Sequence, residues 1–305
     1  MIRWRLMRSR GLATVAAAAL ATSACSSSHG DAPATAPPPT PTAVASPAGP
    51  PPGTAGWRIT HPGPAHAIEG FADRTSALPG QPVRLFVSTT ATTFTATVYR
   101  VGDYAGSEAL QVWKSAPLAG VRQAGPVVQQ PTHTVVAPWN PSLTLNTTGW
   151  QPGEYLIRLD AANGAQQFVP LTMRTPSNHG RIVIINAVTT WQAYNRWGGY
   201  SLYAGPAGKN PRRARAVSFD RPYQADTMQG AGDFLYFELP FVLFAERSGH
   251  ALGYATDVDL DADPHLLDGA PRGRHARARR VLVGEHAQQR RAGPGPWREP
   301  GVPRR

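Results

Sequence analysis

The stretch Arg181–Tyr203, RIVIINAVTTWQAYNRWGGYSLY, decides how the second half of this chain folds. Ile182-Val183-Ile184-Ile185 is a β-branched run bounded upstream by the turn formers Ser177, Asn178 and Gly180. A short continuous apolar run suits a strand covered on both faces of a parallel sheet. Behind it come Trp191, Tyr194 and Trp197 among Thr, Gln and Asn, closing on Gly198-Gly199. This pattern predicts a polar, aromatic loop at the strand's carboxyl end, where open α/β sheets collect ligands. Interfaces between domains share that composition, so site and interface both stay open. Thr190, Trp191, Asn195 and Tyr200 are the candidate pocket residues of this stretch.

Downstream, strand and helix alternate. Gly205–Arg215 is a basic Gly/Pro-rich insertion expected as a mobile surface loop. Ala216–Phe219 is expected as a short strand ending at Asp220 and Arg221, which join the pocket candidates. Gly230-Ala231-Gly232-Asp233 opens an amphipathic helix through Ser248, with Pro240 early and Gly249 as its stop. Gly253–Thr256 forms a further strand, ending in Asp257-Val258-Asp259-Leu260; Asp257 there suits either a site or a helix cap. Leu266-Leu267 closes the last unit. Such a βαβ series predicts a doubly wound α/β sheet, of which this is the first half.

Upstream, from Asp73 to Thr175, the pattern is all-β. Val83, Leu85 and Val87 alternate after Pro79-Gly80, and Phe94–Val101 is rich in Thr, Val and Tyr. Tyr155–Leu159 follows Pro152-Gly153, and Asn163-Gly164 turns the chain into Phe168–Met173. Asn-Gly between alternating runs is a hairpin signal because both residues accept φ > 0. Short, regularly spaced strands suggest an immunoglobulin-like β-sandwich, read as a support or binding module.

The first 25 residues carry Arg3, Arg5, Arg8 and Arg10, an apolar run from Gly11 to Ala21, then Thr22-Ser23-Ala24-Cys25. That is a secretory signal, too short to span a bilayer, with Cys25 where a bacterial lipoprotein is lipidated. Export and a lipid anchor in the cell membrane are therefore expected, with an ordinary cleaved signal as the alternative. Cys25 is the single cysteine, so disulfides and Cys–His catalysis are excluded. Residues 26–56, almost wholly Ala, Pro, Ser, Thr and Gly, read as an extended linker. The expected organisation is then a sandwich over 57–176, the incomplete α/β part over 177–270, and a basic tail over 271–305.

A net charge of +11 would ordinarily suggest a polyanionic partner. The last 35 residues hold ten Arg against Glu285 and Glu299, hence +8 of the total, and four more Arg lie in the signal. The body is near neutral, and nucleic-acid binding is set aside. Asp257, Asp259, Asp261 and Asp263 imitate an EF-hand, but Ala262 and Asp268 stand where Gly and Glu are required. Gly199-Tyr200-Ser201-Leu202-Tyr203 begins like a nucleophile elbow and ends in Tyr instead of Gly, and no Walker loop or dinucleotide fingerprint is present. Tyr194, Tyr200, Tyr203 and Tyr223 remain: tyrosinate binds hard ferric iron, although hydrogen-bonded core tyrosines are commoner.

NAVTTWQAYNRWGGYSLY, VSFDRPY, GAGDFL with Glu238 following, and YATDVDL resemble the C-terminal domain of the large subunit of N,N-dimethylformamidase and its relatives. VYRVGDYAG and APWNPSLTLNTTGWQPGEYLIRL resemble the sandwich that accompanies it. The resemblance implies a hydrolase of small linear amides, an α/β domain related to glutamine amidotransferases, and mononuclear iron held by two tyrosines and a glutamate. Whether a small subunit accompanies the chain is left open. Tyr194 is the one tyrosine carried over; the second aligns near Ala216, where no tyrosine stands. Hard phenolate and carboxylate ligands suit ferric iron, which would acidify a bound water for attack on the amide.

The glutamate of that family lies in a GHDEYWS-like block after the TDVDL strand, and this chain lacks it. The codons GGG CAC GAC GAG TAC TGG TCG encode that block. Preceded by one C and read a base earlier, they spell Arg277-Ala278-Arg279-Arg280-Val281-Leu282-Val283, the residues found here. A frameshift after Ala270 is therefore expected, leaving the site without its carboxylate and the chain inactive, with iron unbound. A non-catalytic envelope protein is the alternative function.

Overall fold

In the computed structural model the described residues are 52–209, 212–226 and 228–271, all within one compact unit spanning 47–305. The expected signal with Cys25, most of the expected linker and the tail from residue 272 lie outside them.

Alternation in the first half builds two larger sheets and one small two-stranded one. The strands are β1 (Ile68–Ala72), β2 (Ser76–Ala77), β3 (Val83–Thr89), β4 (Thr93–Tyr104), β5 (Ser107–Lys114) and β6 (Leu118–Ala119). After them come β7 (Val127–Gln129), β8 (Thr134–Val136), β9 (Leu143–Leu145), β10 (Gly153–Ala161) and β11 (Gln166–Met173). One sheet runs β1-β3-β9; the larger runs β2-β11-β10-β4-β5, with β6 also on β4. The expected Asn163-Gly164 turn joins β10 to β11 antiparallel, with Gly164 at φ +88°. Val83, Leu85 and Val87 meet Ile157, Leu159, Val169 and Leu171 in a shared apolar core. The other face of the larger sheet is buried as well: Tyr99, Val101, Leu156 and Phe168 pack with Ile184, Trp191, Leu239 and Tyr254. β4, β10 and β11 thus each serve two cores, which leaves no purely polar face on β10.

The second half is smaller than the sequence suggests. β12 (Ile182–Asn186) pairs in parallel with β15 (Leu252–Thr256), placing Ile184 opposite Tyr254. Between them lie a hairpin of β13 (Ala204–Gly205) and β14 (Gly208–Lys209), and α2 (Leu239–Arg247), which follows a π-helical turn over Phe234–Glu238. Pro240 falls in the first turn of α2 and Gly249, at φ +71°, lies just past its end, as expected. α3 (Asp257–Ala262) starts at Thr256, whose side chain accepts from the Asp259 amide in a capping box.

Two expectations are corrected. The aromatic stretch after β12 is not a loop but α1 (Val188–Tyr194), because Val188, Trp191 and Gln192 recur at helical spacing and bury one face. Ala216–Phe219 forms no strand; it has no ladder partner, and the Asp220 amide bonds back to Ser218 Oγ at 2.9 Å in a local turn. The parallel sheet therefore has two strands among the described residues, and Ile182 on β12 is 38% exposed instead of covered on both faces.

Polar ties fix this part on the sandwich. Arg100 of β4 donates to Glu246 of α2 at 2.7 Å, and Tyr254 of β15 donates to the same carboxylate. Asp259 of α3 accepts from Ser76 of β2 at 2.7 Å and pairs with Arg174 at 3.2 Å.

Candidate functional site

β12 and β15 end side by side at Asn186 and Thr256, so α1 and α3 both start at the carboxyl edge of the sheet. Three carboxyl groups collect there. Asp257, in the first turn of α3, accepts from the Thr189 amide at 3.2 Å and from the Thr189 hydroxyl. Burial pushes it up to about 6 despite those hydrogen bonds. Glu238, at the N-cap of α2, accepts from the Ala187 amide and from the Trp191 indole, each at 3.1 Å through Oε1. Its Oε2 is buried with no partner, and burial pushes the group up to about 8.

The third comes from the sandwich. Glu154 of β10 is 2% exposed. Its Oε2 accepts from the Thr172 hydroxyl of β11 at 2.9 Å and from the Asn186 amide of β12. Its Oε1 has no partner. Burial, the largest cause, with the nearby Glu238 charge raises Glu154 to about 8, against the opposing Thr172 and Asn186 hydrogen bonds. Carboxyls poised near neutrality can hold or pass a proton at working pH.

Glu154 and Thr172 lie on the wall of a narrow cleft between the sandwich and α1. Phe71, Leu171, Trp191 and Phe234 make it largely apolar, while Arg74, Gln192, Arg221 and Tyr223 supply polar edges. Gly232, at φ +62°, lies against Trp191: a Cβ there would sit 2.9 Å from the indole. The close approach fixes the ring that faces both Glu238 and the cleft.

Of the residues expected from sequence, Trp191 and Arg221 line this cleft. Arg221 is 1% exposed and donates Nε to Gln192 Oε1 at 3.1 Å. Its Nη1 donates to the Trp197 and Tyr200 carbonyls, and its Nη2 to those of Gln192 and Asn195. Burial lowers it to about 10. Asn195 is a second clamp on this loop, donating to the Pro222 carbonyl at 2.8 Å and accepting from the Trp197 amide at 3.1 Å. Thr190 has a buried hydroxyl without a partner, Tyr200 stacks on His133, and Asp220 is an exposed turn residue. Tyr194, expected as a metal ligand, is 40% exposed and stacks on Tyr203 with centroids 4.4 Å apart; neither ring lines the cleft. Glu154, Thr172 and Gln192 were not expected. The signal for Glu154 is Leu156, an apolar residue on the strand face that a single-core sandwich would leave polar.

A model of the family described as "N,N-dimethylformamidase beta subunit-like, C-terminal" matches residues 95–275. No curated protein matches the chain. Among solved structures, a Paenibacillus sp. cycloisomaltooligosaccharide glucanotransferase complexed with cycloisomaltoheptaose is 14% identical over 39% of this chain, with a TM-score of 0.22. The chain spans 15% of that enzyme's length. An uncharacterized Bacillus anthracis str. Ames protein is 10% identical over 34% of this chain and 82% of its own, also at a TM-score of 0.22. Likeness of that order carries no functional argument.

The iron implied by the resemblance does not find a complete ligand set in the described residues. Among the described residues no three His, Cys, Asp or Glu side chains are arranged to hold a metal ion, and Tyr194 stacks on Tyr203.

Proposed function

The chain belongs to the N,N-dimethylformamidase beta subunit-like family, and from that premise we propose that it is the scaffold of a small-amide hydrolase, with the amide held in the cleft between sandwich and α1. The observation that carries this is the cleft itself: a narrow, largely apolar pocket beside α1 whose lining residues Glu154 and Thr75 each hold a buried polar atom without a partner. The immunoglobulin-like character of the sandwich and the glutamine-amidotransferase-like character of the α/β part belong to the same proposal. So does the iron, for which the described residues supply no complete site and Tyr194 lies outside the cleft. Because the GHDEYWS-like block is missing from the sequence, the chain as written binds its amide without turning it over.

Nuclear Overhauser effects from the methyl protons of N,N-dimethylformamide locate the ligand. They are expected on the Trp191 and Phe234 rings. Contacts at Tyr194 and Tyr203 alone, or none at all, contradict the placement.

The basic n-region, short apolar run and Cys25 support export and a lipid anchor on the outer face of the cell membrane. Cells fed labelled palmitate are expected to yield a labelled, membrane-associated protein. A soluble, unlabelled product removes the anchor and favours simple secretion.

A further inference from the structure

We propose that the sandwich contributes the ligand-reading group of this site: Glu154 donates a hydrogen bond from Oε1 to the carbonyl oxygen of a small neutral amide. The inference rests on the cleft being the amide site and adds to it the residue that recognises the carbonyl.

Two unpartnered polar atoms are buried on the cleft wall, Glu154 Oε1 and Thr75 Oγ1. Leaving such atoms unpaired is costly, and structures retain them where a ligand completes the pairing. The other Glu154 oxygen already takes two donors, from Thr172 and Asn186. A carboxyl proton therefore resides on Oε1, the oxygen left without a partner. Asn186 Nδ2 also donates to Thr172 Oγ1 at 2.9 Å, which orients that hydroxyl toward Glu154. The rotamer is thus fixed by both neighbouring layers, β11 and β12, before any ligand arrives. The apolar walls from Phe71, Leu171 and Trp191 favour a small molecule with one acceptor over an ion.

The proton is present under ordinary conditions. Burial first, then the Glu238 charge, raises Glu154 to about 8, while Arg100 of β4 opposes. Tyr155 beside it and Tyr254 of β15 also feel its charge, and both phenols are themselves raised, chiefly by burial. Arg74, Arg221 and Tyr223 complete the titratable groups around the cleft. Since the acid form is the donor, amide binding is full below about pH 8 and falls as the pH rises through that value.

The test is titration of the 305-residue chain with N,N-dimethylformamide, followed by ligand-observed NMR at pH 6.5 and pH 9.5. Wild type is expected to bind at least tenfold more weakly at the higher pH. Glu154→Gln keeps a donor and should bind at both pH values with little difference. Glu154→Leu should lose binding at least tenfold while its melting curve stays cooperative. Wild type that binds in the cleft with no pH dependence, or a folded Glu154→Leu that binds as wild type does, overturns the role of Glu154 and leaves the cleft assignment standing. Absence of any binding by wild type overturns both.

Discussion

Arg221→Leu is expected to cost about 3–5 kcal/mol, enough to unfold or nearly unfold the α1 region. The guanidinium uses all five of its N–H groups, on the Gln192 side chain and on four backbone carbonyls of Gln192, Asn195, Trp197 and Tyr200. No carboxylate shares these bonds; the cation is held by carbonyl dipoles alone. Its removal strands several buried acceptors at once, each costing about 1–3 kcal/mol before water enters. Against a total stability of about 5–15 kcal/mol, that loss is large. Arg221→Lys retains the charge but has three donors in place of a planar fork, so it should still lose about 2–3 kcal/mol. Urea melts check both, with hydrogen exchange at residues 188–202 reporting where the damage lies. An unfolding free energy within about 0.5 kcal/mol of wild type for Arg221→Leu would show that the clamp is dispensable.

This clamp illustrates what sequence could and could not disclose. Arg221 was legible as a pocket residue because it follows an apolar run and precedes Pro222, yet nothing in VSFDRPY says that its partners are carbonyls some 20 to 30 residues upstream. The sandwich strands were legible because alternation and Asn-Gly turns are local signals. α1 was misread because its polar residues, Thr189 and Gln192, are buried by partners distant in sequence: Asp257 for Thr189 and Arg221 for Gln192. Glu154 stayed invisible for the same reason. A glutamate after Pro-Gly reads as a solvated strand end until the second core on Leu156 is known to cover it. The surface pair Tyr194 and Tyr203 shows the converse: a family motif identified Tyr194, and the fold of the described residues places it away from the cleft.

The second large effect concerns activity. If Arg277–Val283 is the GHDEYWS-like block displaced by one reading frame, restoring the frame returns the glutamate that the resemblance assigns to the iron site. It also returns the chain that would extend the two-stranded parallel sheet, whose β12 edge leaves Ile182 38% exposed. Parallel sheets are normally covered on both faces, so both folding and chemistry should respond to the same repair. The described residues would contribute the cleft and Glu154; the restored segment would contribute the missing carboxylate. The change is from no turnover to turnover, larger than any point substitution in the existing chain can produce.

The most direct measurement is dimethylamine release from N,N-dimethylformamide, with iron supplied, by the 305-residue chain and by the frame-restored protein side by side. The account predicts no release above background from the first and sustained release from the second. Release by the 305-residue chain, or none from a folded, iron-loaded restored protein, would contradict it.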